Sequence, residues 1–163
     1  MSQISYIIVN IGQQRLFGVD QNGNKFIDYP VSTSKFGVGN QNGSFKTPLG
    51  EHSIAQKIGD GCEINEVFVG RQSLGVLNDL INAKKELPDD IITSRIMWLQ
   101  GEELGVNKGK EIDSYSRYIY IHGTAEENKI GQPASHGCVR MRNKDVIELF
   151  NLVDKGCKVL IQQ

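Results

Sequence analysis

Apolar residues along this chain fall in short runs or alternate with polar ones, the period-two pattern of half-buried strands. Tyr6–Asn10 and Arg15–Val19 flank Ile11-Gly12-Gln13-Gln14 and read as two strands joined by a hairpin connection. Asn22-Gly23 then predicts a type I′ turn, because both residues tolerate φ > 0, ahead of a third strand over Lys25–Ser32. Phe36–Gly43 is loop by composition, Thr47-Pro48-Leu49-Gly50 punctuates it, and His52–Ile58 resumes an extended segment. In the middle, Leu77, Leu80 and Ile81 have helical spacing with Pro88 as the latest stop. Ile91–Leu99 is rich in β-formers, and Gly101–Ser114 reads as a long loop. Tyr118-Ile119-Tyr120-Ile121-His122 alternates strictly, so Tyr118, Tyr120 and His122 are expected on one face of a strand. Asn143 is placed as the N-cap of a helix over Lys144–Val153 that carries Val146, Ile147, Phe150 and Val153 on one stripe. Lys158–Gln162 closes the chain as a strand.

Composition agrees with a mainly β fold. The 163 residues include 18 Gly and only 4 Pro, which implies many turns and positive-φ positions. That length suits a single domain, by the prior of roughly 150 residues each. Lys+Arg 18 against Asp+Glu 19 leaves a net charge of -1, which argues against sequence-independent nucleic-acid binding. No apolar run approaches the roughly 18 residues of a membrane span. Met1-Ser2-Gln3-Ile4-Ser5 lacks the features of a signal peptide. Taken at its face, the chain is expected in the cytoplasm; a chain trimmed of its leader, or exported by another route, would work in the periplasm or cell envelope. Three cysteines, Cys62, Cys138 and Cys157, are too few for a disulfide framework. Cys62 and Cys157 read as small buried hydrophobes, and His52 as a histidine satisfied by local hydrogen bonds.

Two segments concentrate reactive chemistry: Ile121-His122-Gly123-Thr124 and Ala134-Ser135-His136-Gly137-Cys138-Val139-Arg140-Met141. A cysteine nucleophile needs a base to take its proton and main-chain N–H groups to hold the oxyanion. His122 supplies an imidazole at the end of a strand, and Gly137 lets the chain turn sharply beside Cys138. A zinc site of His122, His136 and Cys138 is the rival reading, although no paired-ligand clasp accompanies it.

These segments resemble the signature of the L,D-transpeptidase catalytic domain, the YkuD or ErfK/YbiS family. Ile7-Ile8-Val9, Gln14-Arg15-Leu16-Phe17, Tyr29-Pro30-Val31-Ser32-Thr33, Lys46-Thr47-Pro48-Leu49-Gly50 and Arg117–Ile121 resemble its earlier landmarks. The resemblance implies a curved, sandwich-like β fold with a few short helices, one of them near the C-terminus, and no cofactor. It assigns Cys138 as nucleophile and His122 as general base, with the Gly123 carbonyl orienting the imidazole. Ser135, His136 and Gly137 complete the block; Gly137 and Cys138 offer oxyanion donors. Tyr120 is expected to contact substrate, and Arg140 either to hold a substrate carboxylate or to brace its loop in a salt bridge. Arg71–Ile112 is expected to overlie the cleft, with Met97, Trp98 or Tyr115 as lid candidates and core packing the favoured role for Trp98.

The activity this implies is acyl transfer on peptidoglycan stem peptides or muropeptides. Cys138 would attack a meso-diaminopimelate carbonyl and release D-alanine. The thioester would then pass to an amine as a cross-link or to water as L,D-carboxypeptidase action. A coupled thiol and imidazole would give a bell-shaped pH profile. Two further alternatives are another cysteine amidase, in which the cysteine normally precedes the histidine, and a catalytically silent glycan- or peptide-binding module.

Overall fold

The computed structural model describes residues 4–163, so the reading of Met1, Ser2 and Gln3 as part of a leaderless start lies outside it. In chain order the strands are β1 (Tyr6–Asn10), β2 (Arg15–Val19), β3 (Lys25–Ser32), β4 (Gly50–Ile58), β5 (Glu66–Val69), β6 (Gln72–Val76), β7 (Ile92–Gly101), β8 (Tyr120–Thr124), β9 (Val139–Met141) and β10 (Lys158–Gln162). Helices α1 (Leu77–Asn82) and α2 (Asn143–Leu152) complete the set. One ten-stranded sheet runs in the order β4-β10-β1-β2-β3-β9-β8-β7-β5-β6. β7 also pairs antiparallel with β4, so the strands from β4 to β7 in that order close into a ring, and β5–β6 hangs from it as a hairpin. Accumulated strand twist carries the expected curvature as far as closure, which removes the open edges a flat sheet would expose.

The pleat then sorts side chains into two cores. Ile7, Val9, Leu16, Val31, Leu99, Ile121, Val139 and Met141 join Val146, Leu149 and Phe150 of α2 in one large cluster. Full burial of such side chains stabilises by roughly 1.5–3 kcal/mol each. On the opposite face of β7 and β8, Ile96, Trp98 and Tyr120 meet Phe68 of β5 in a smaller cluster. The alternation read in Tyr118–His122 therefore holds from Tyr120 onward. Tyr118 itself leaves the strand: its φ is 56°, and it stands 54% exposed with its ring 5.7 Å from Trp98.

Two local readings change, and one hairpin had no reading to change. In the β2–β3 turn only Gly23 of the Asn-Gly pair has positive φ, because Asp20 accepts the Asn22 and Asn24 N–H groups and sets a different turn. The β5–β6 hairpin was not legible, since its strands are short and two glycines interrupt the region. Asn143 does not cap α2. It is the first helical residue, Arg142 occupies the cap position without a side-chain bond, and the Glu127 carboxylate accepts the Asn143 N–H instead (2.7 Å). The Asn143 amide turns inward, accepting from Thr93 Oγ1 (2.5 Å) and Ser94 Oγ (2.6 Å) and donating to the Thr124 carbonyl (2.9 Å) and Glu127 (2.9 Å). It ties α2 to β7 and to the end of β8.

The long loop after β7 is held by His52 of β4, whose Nδ1 lies 3.0 Å from the Gly50 carbonyl and Nε2 2.8 Å from Ser114 Oγ. Burial pulls this imidazole down to about 4, against the Gly50 carbonyl and the Glu103 and Glu102 charges, which raise it.

Two outcomes are expected. Asn143→Ala strands two hydroxyl donors and a carbonyl inside the protein, so urea denaturation should show a loss of about 2–4 kcal/mol. An unfolded histidine titrates near 6.5, so between that pH and about 4 the unfolded chain binds the extra proton. Stability then falls as pH drops through that window, by about 3 kcal/mol for this residue. His52→Gln should flatten the decline in a pH series of melting curves; an unchanged slope would assign the acid sensitivity to other groups.

Candidate active site

β9 lies parallel to β8, with Val139 opposite Ile121 and Arg140 opposite His122. The register puts Arg140, and Cys138 just before β9, on the face that carries Tyr120 and His122. Gly137 makes the approach possible: its φ is 129°, a backbone region that side chains rarely allow. Ser135 braces the same turn, donating from Oγ to the Cys138 carbonyl (2.6 Å) and accepting the Gly137 N–H (3.2 Å). Thr47 Oγ1 donates to the Gly137 carbonyl (2.9 Å), which connects the Lys46–Gly50 segment to the turn.

His122 is wholly buried, and its Nδ1 lies 2.6 Å from the carbonyl of Gly123. A carbonyl can only accept, so Nδ1 carries the proton and Nε2 presents a lone pair. Nε2 is buried without a hydrogen-bond partner among the described residues. Gly123 must be glycine for space, since a Cβ there would stand 2.5 Å from the Thr93 carbonyl and 2.6 Å from Asn143 Oδ1. Burial lowers the His122 imidazole below its ordinary range, outweighing Asp90 and the Gly123 carbonyl, which raise it.

The Cys138 thiol donates to the Tyr118 carbonyl (3.4 Å) and accepts the Tyr120 N–H (3.3 Å). The thiol therefore makes no hydrogen bond to the imidazole at rest, because the neighbouring main chain competes for it. Burial pushes the thiol up to about 12, with Asp90 adding to the rise, while the Tyr120 N–H, Arg140 and Arg117 pull the other way. The resting pair is a neutral thiol and a neutral imidazole on one pleated face. Cys138 opens on a cavity of about 340 Å³ walled by Asn42, Phe45, Arg117, Tyr118 and His136.

The remaining predicted residues separate into wall and brace. His136 lines the cavity, with Nδ1 3.5 Å from Asp90 and its ring 6.0 Å from Phe36 and 6.3 Å from Phe45. Arg140 is only 2% exposed. Its Nη2 donates to Asp90 (2.7 Å) and its Nη1 lies 3.4 Å from Glu126; it braces the segment before β7 against β9, which corrects the expectation of an open substrate contact. Tyr120 is corrected likewise: it is 5% exposed, packs edge-on to Trp98 at 5.6 Å, and its hydroxyl accepts from Arg71 (3.2 Å). The Gly137 N–H is already engaged by Ser135, which leaves the Cys138 N–H as the oxyanion donor of that pair. Trp98, stacked on Tyr115 at 4.2 Å, belongs to the small core, and Met97 to the large one; neither forms a lid. The zinc arrangement is not assembled, as no three His, Cys, Asp or Glu side chains converge on an ion-sized point among the described residues. Cys62 and Cys157 are half-buried free thiols packed against the two cores.

Sequence reading missed Asp90 and Arg117. Asp90 follows Pro88-Asp89 and looks like ordinary turn chemistry, yet its carboxyl meets both Arg140 and His136. Burial opposes that charge, but His122, Arg140 and His136 together hold it below the usual carboxylate range.

Known proteins resemble this chain in sequence or in fold. YkuD of Bacillus subtilis (strain 168) is 51% identical over 51 residues, 31% of this chain and 31% of that protein. YbiS of Escherichia coli (strain K12) is 49% identical over 43 residues, 26% of this chain and 14% of that protein. An L,D-transpeptidase from Mycobacterium smegmatis superposes with a TM-score of 0.58 at 15% identity, covering 99% of this chain and 59% of that one. L,D-transpeptidase 3 from Mycobacterium tuberculosis, in complex with a faropenem-derived adduct, gives 0.53 at 16% identity, covering 97% of this chain and 60% of that one. The chain thus spans about half to three fifths of the length of the structures it matches. The model of the YkuD family, described as the L,D-transpeptidase catalytic domain, matches residues 4–161, and with the match running from β1 to β10 the chain belongs to that family.

Proposed function

We propose that this domain performs cysteine-dependent acyl transfer on peptidoglycan stem peptides, as an L,D-transpeptidase. The observation that carries the reading is the pairing of an unpartnered, buried His122 Nε2 with a Cys138 thiol on the same pleated face, the thiol opening on a cavity. Rotation of the thiol away from the Tyr118 carbonyl brings its proton toward Nε2. Sulfur then attacks the carbonyl of the donor's meso-diaminopimelate residue, and the Cys138 N–H receives the oxyanion. Collapse expels D-alanine, whose amine takes the proton from His122. Neutral His122 next accepts a proton from the amine of a second stem as that amine attacks the thioester; the new amide forms and the thiol is restored. Water in place of the amine gives hydrolysis.

Burial raises the thiol and lowers the imidazole, so each group favours its neutral form. Proton transfer therefore accompanies attack instead of preceding it. We further propose that this work is done at the cell envelope, where substrates of this class lie; fractionation of the native protein tests it.

Intact-protein mass spectrometry after exposure to a penem or carbapenem should show one adduct, absent in Cys138→Ala. His122→Gln should slow its formation by at least about 100-fold. A folded, reduced protein that forms no adduct would favour a binding module over an enzyme.

The pH profile of acylation should rise through a value below 6.5, as the imidazole loses its proton, and then stay level past pH 9. The two limbs of the bell are spread by the burial of both groups. An inflection upward near pH 8–9 would mean that free thiolate attacks, contrary to the neutral-pair reading.

A further inference from the structure

The cavity beside Cys138 holds a fixed positive charge that the mechanism leaves unused. Arg117, in the turn before β8, lines the wall together with Cys138, and no Asp or Glu belongs to that wall. Its guanidinium is positioned by main chain: Nη2 donates to the Lys46 carbonyl (2.6 Å) and Nη1 to the Gly39 carbonyl (3.3 Å), with Ser44 Oγ 3.4 Å from Nη2. These bonds leave the Nε hydrogen and one Nη1 hydrogen unused. Among the described residues Arg117 enters none of the ion pairs. The contrast with Arg140 is informative, since that guanidinium is buried against Asp90 and Glu126, whereas Arg117 is half-buried among neutral acceptors, two carbonyls and a hydroxyl.

A cation held by neutral acceptors at the wall of a reactive cavity lacks an anion. Burial disfavours its charge, and the group that favours it is Cys138 in its ionised form. Arginine's planar fork matches a carboxylate, and a guanidinium already fixed by its neighbours loses little freedom on receiving one.

We propose that Arg117 forms an anion subsite that receives a carboxylate adjacent to the scissile amide of the acyl donor. The inference rests on the acyl-transfer reading and sharpens its substrate class, from amides in general to peptides with a free carboxylate beside the attacked carbonyl. A stem peptide offers two such groups: the terminal carboxylate of the departing residue, and the free carboxylate on the acyl side.

The test begins without any peptide. Alkylation of Cys138, followed by peptide mapping so that Cys62 and Cys157 do not contribute, is measured with anionic iodoacetate and neutral iodoacetamide. The ratio of the two rates cancels changes in thiol ionisation and general access. It should fall about 10-fold in Arg117→Gln and recover in Arg117→Lys; a ratio equal to wild type in both variants would overturn the proposal. Donor tetrapeptides then locate the carboxylate. In Arg117→Gln, a fall of about 10-fold in the kcat/KM preference for the free over the amidated terminal carboxylate assigns the subsite to the departing residue. The same fall for free against amidated diaminopimelate assigns it to the acyl side, and no change in either preference overturns it. Failure of the acyl-transfer reading has a separate signature: no turnover of any donor by the wild-type protein, with the alkylation ratio still responding to Arg117.

Discussion

Where β9 lies against β8, the parallel register sets Val139 beside Ile121 and Arg140 beside His122. Everything at the site follows from that pairing. Ile121, Val139 and Met141 are drawn into the large core by α2, so Tyr120, His122, Cys138 and Arg140 are presented on the reverse face. A slip of one residue would turn the imidazole into the apolar core and Ile121 toward the cavity. The energy that holds the register is thus apolar burial on one side of the sheet, and the chemistry on the other side inherits its alignment without supplying it.

Polar satisfaction divides in the same way. Around the site the buried amides are fully engaged: Gln14 donates to the Ile11 carbonyl and Thr33 Oγ1 and accepts the Thr33 N–H, and Asn143 serves α2, β7 and β8 at once. Within the site, His122 Nε2 and Arg140 Nε lack hydrogen-bond partners among the described residues, and Arg140 Nη1 has only the ion pair with Glu126. An unsatisfied buried group costs roughly 1–3 kcal/mol, and a stable scaffold carries that cost at the reacting centre. The imidazole is held in one tautomer by Gly123, with its acceptor free for an incoming proton.

The cavity wall is assembled from segments far apart in the chain: the loop around Asn42–Phe45, the turn at Ser116–Ile119, and His136 and Cys138. Arg117 links two of them by donating to the Lys46 carbonyl, and Asp90 links the segment before β7 to His136 and Arg140. Charge is therefore organised in two places, a neutralised Arg140–Asp90 pair behind the face and an unneutralised Arg117 at its opening. That asymmetry is the basis of the proposed anion subsite.

The strands β1 to β4, β7 and β10, the helix after Met141, and the two reactive segments were legible from the chain alone, because alternation, helical spacing and a cysteine–histidine–glycine cluster are local signals. The Gly123 carbonyl beside the imidazole was implied by the family resemblance and not by spacing. Other features needed the closed sheet. Tyr120 looked like a substrate contact, but the hairpin β5–β6 covers it; Asn143 looked like a helix cap, but Thr93, Ser94 and Thr124 recruit its amide inward. Asp90 gave no signal and Arg117 stood only as one residue of a landmark segment, because a turn aspartate and a lone arginine acquire a role only when distant loops set them against β9 and the thiol. What sequence determines is which residues share a face along one strand; which strands and loops meet across that face is decided by long-range burial.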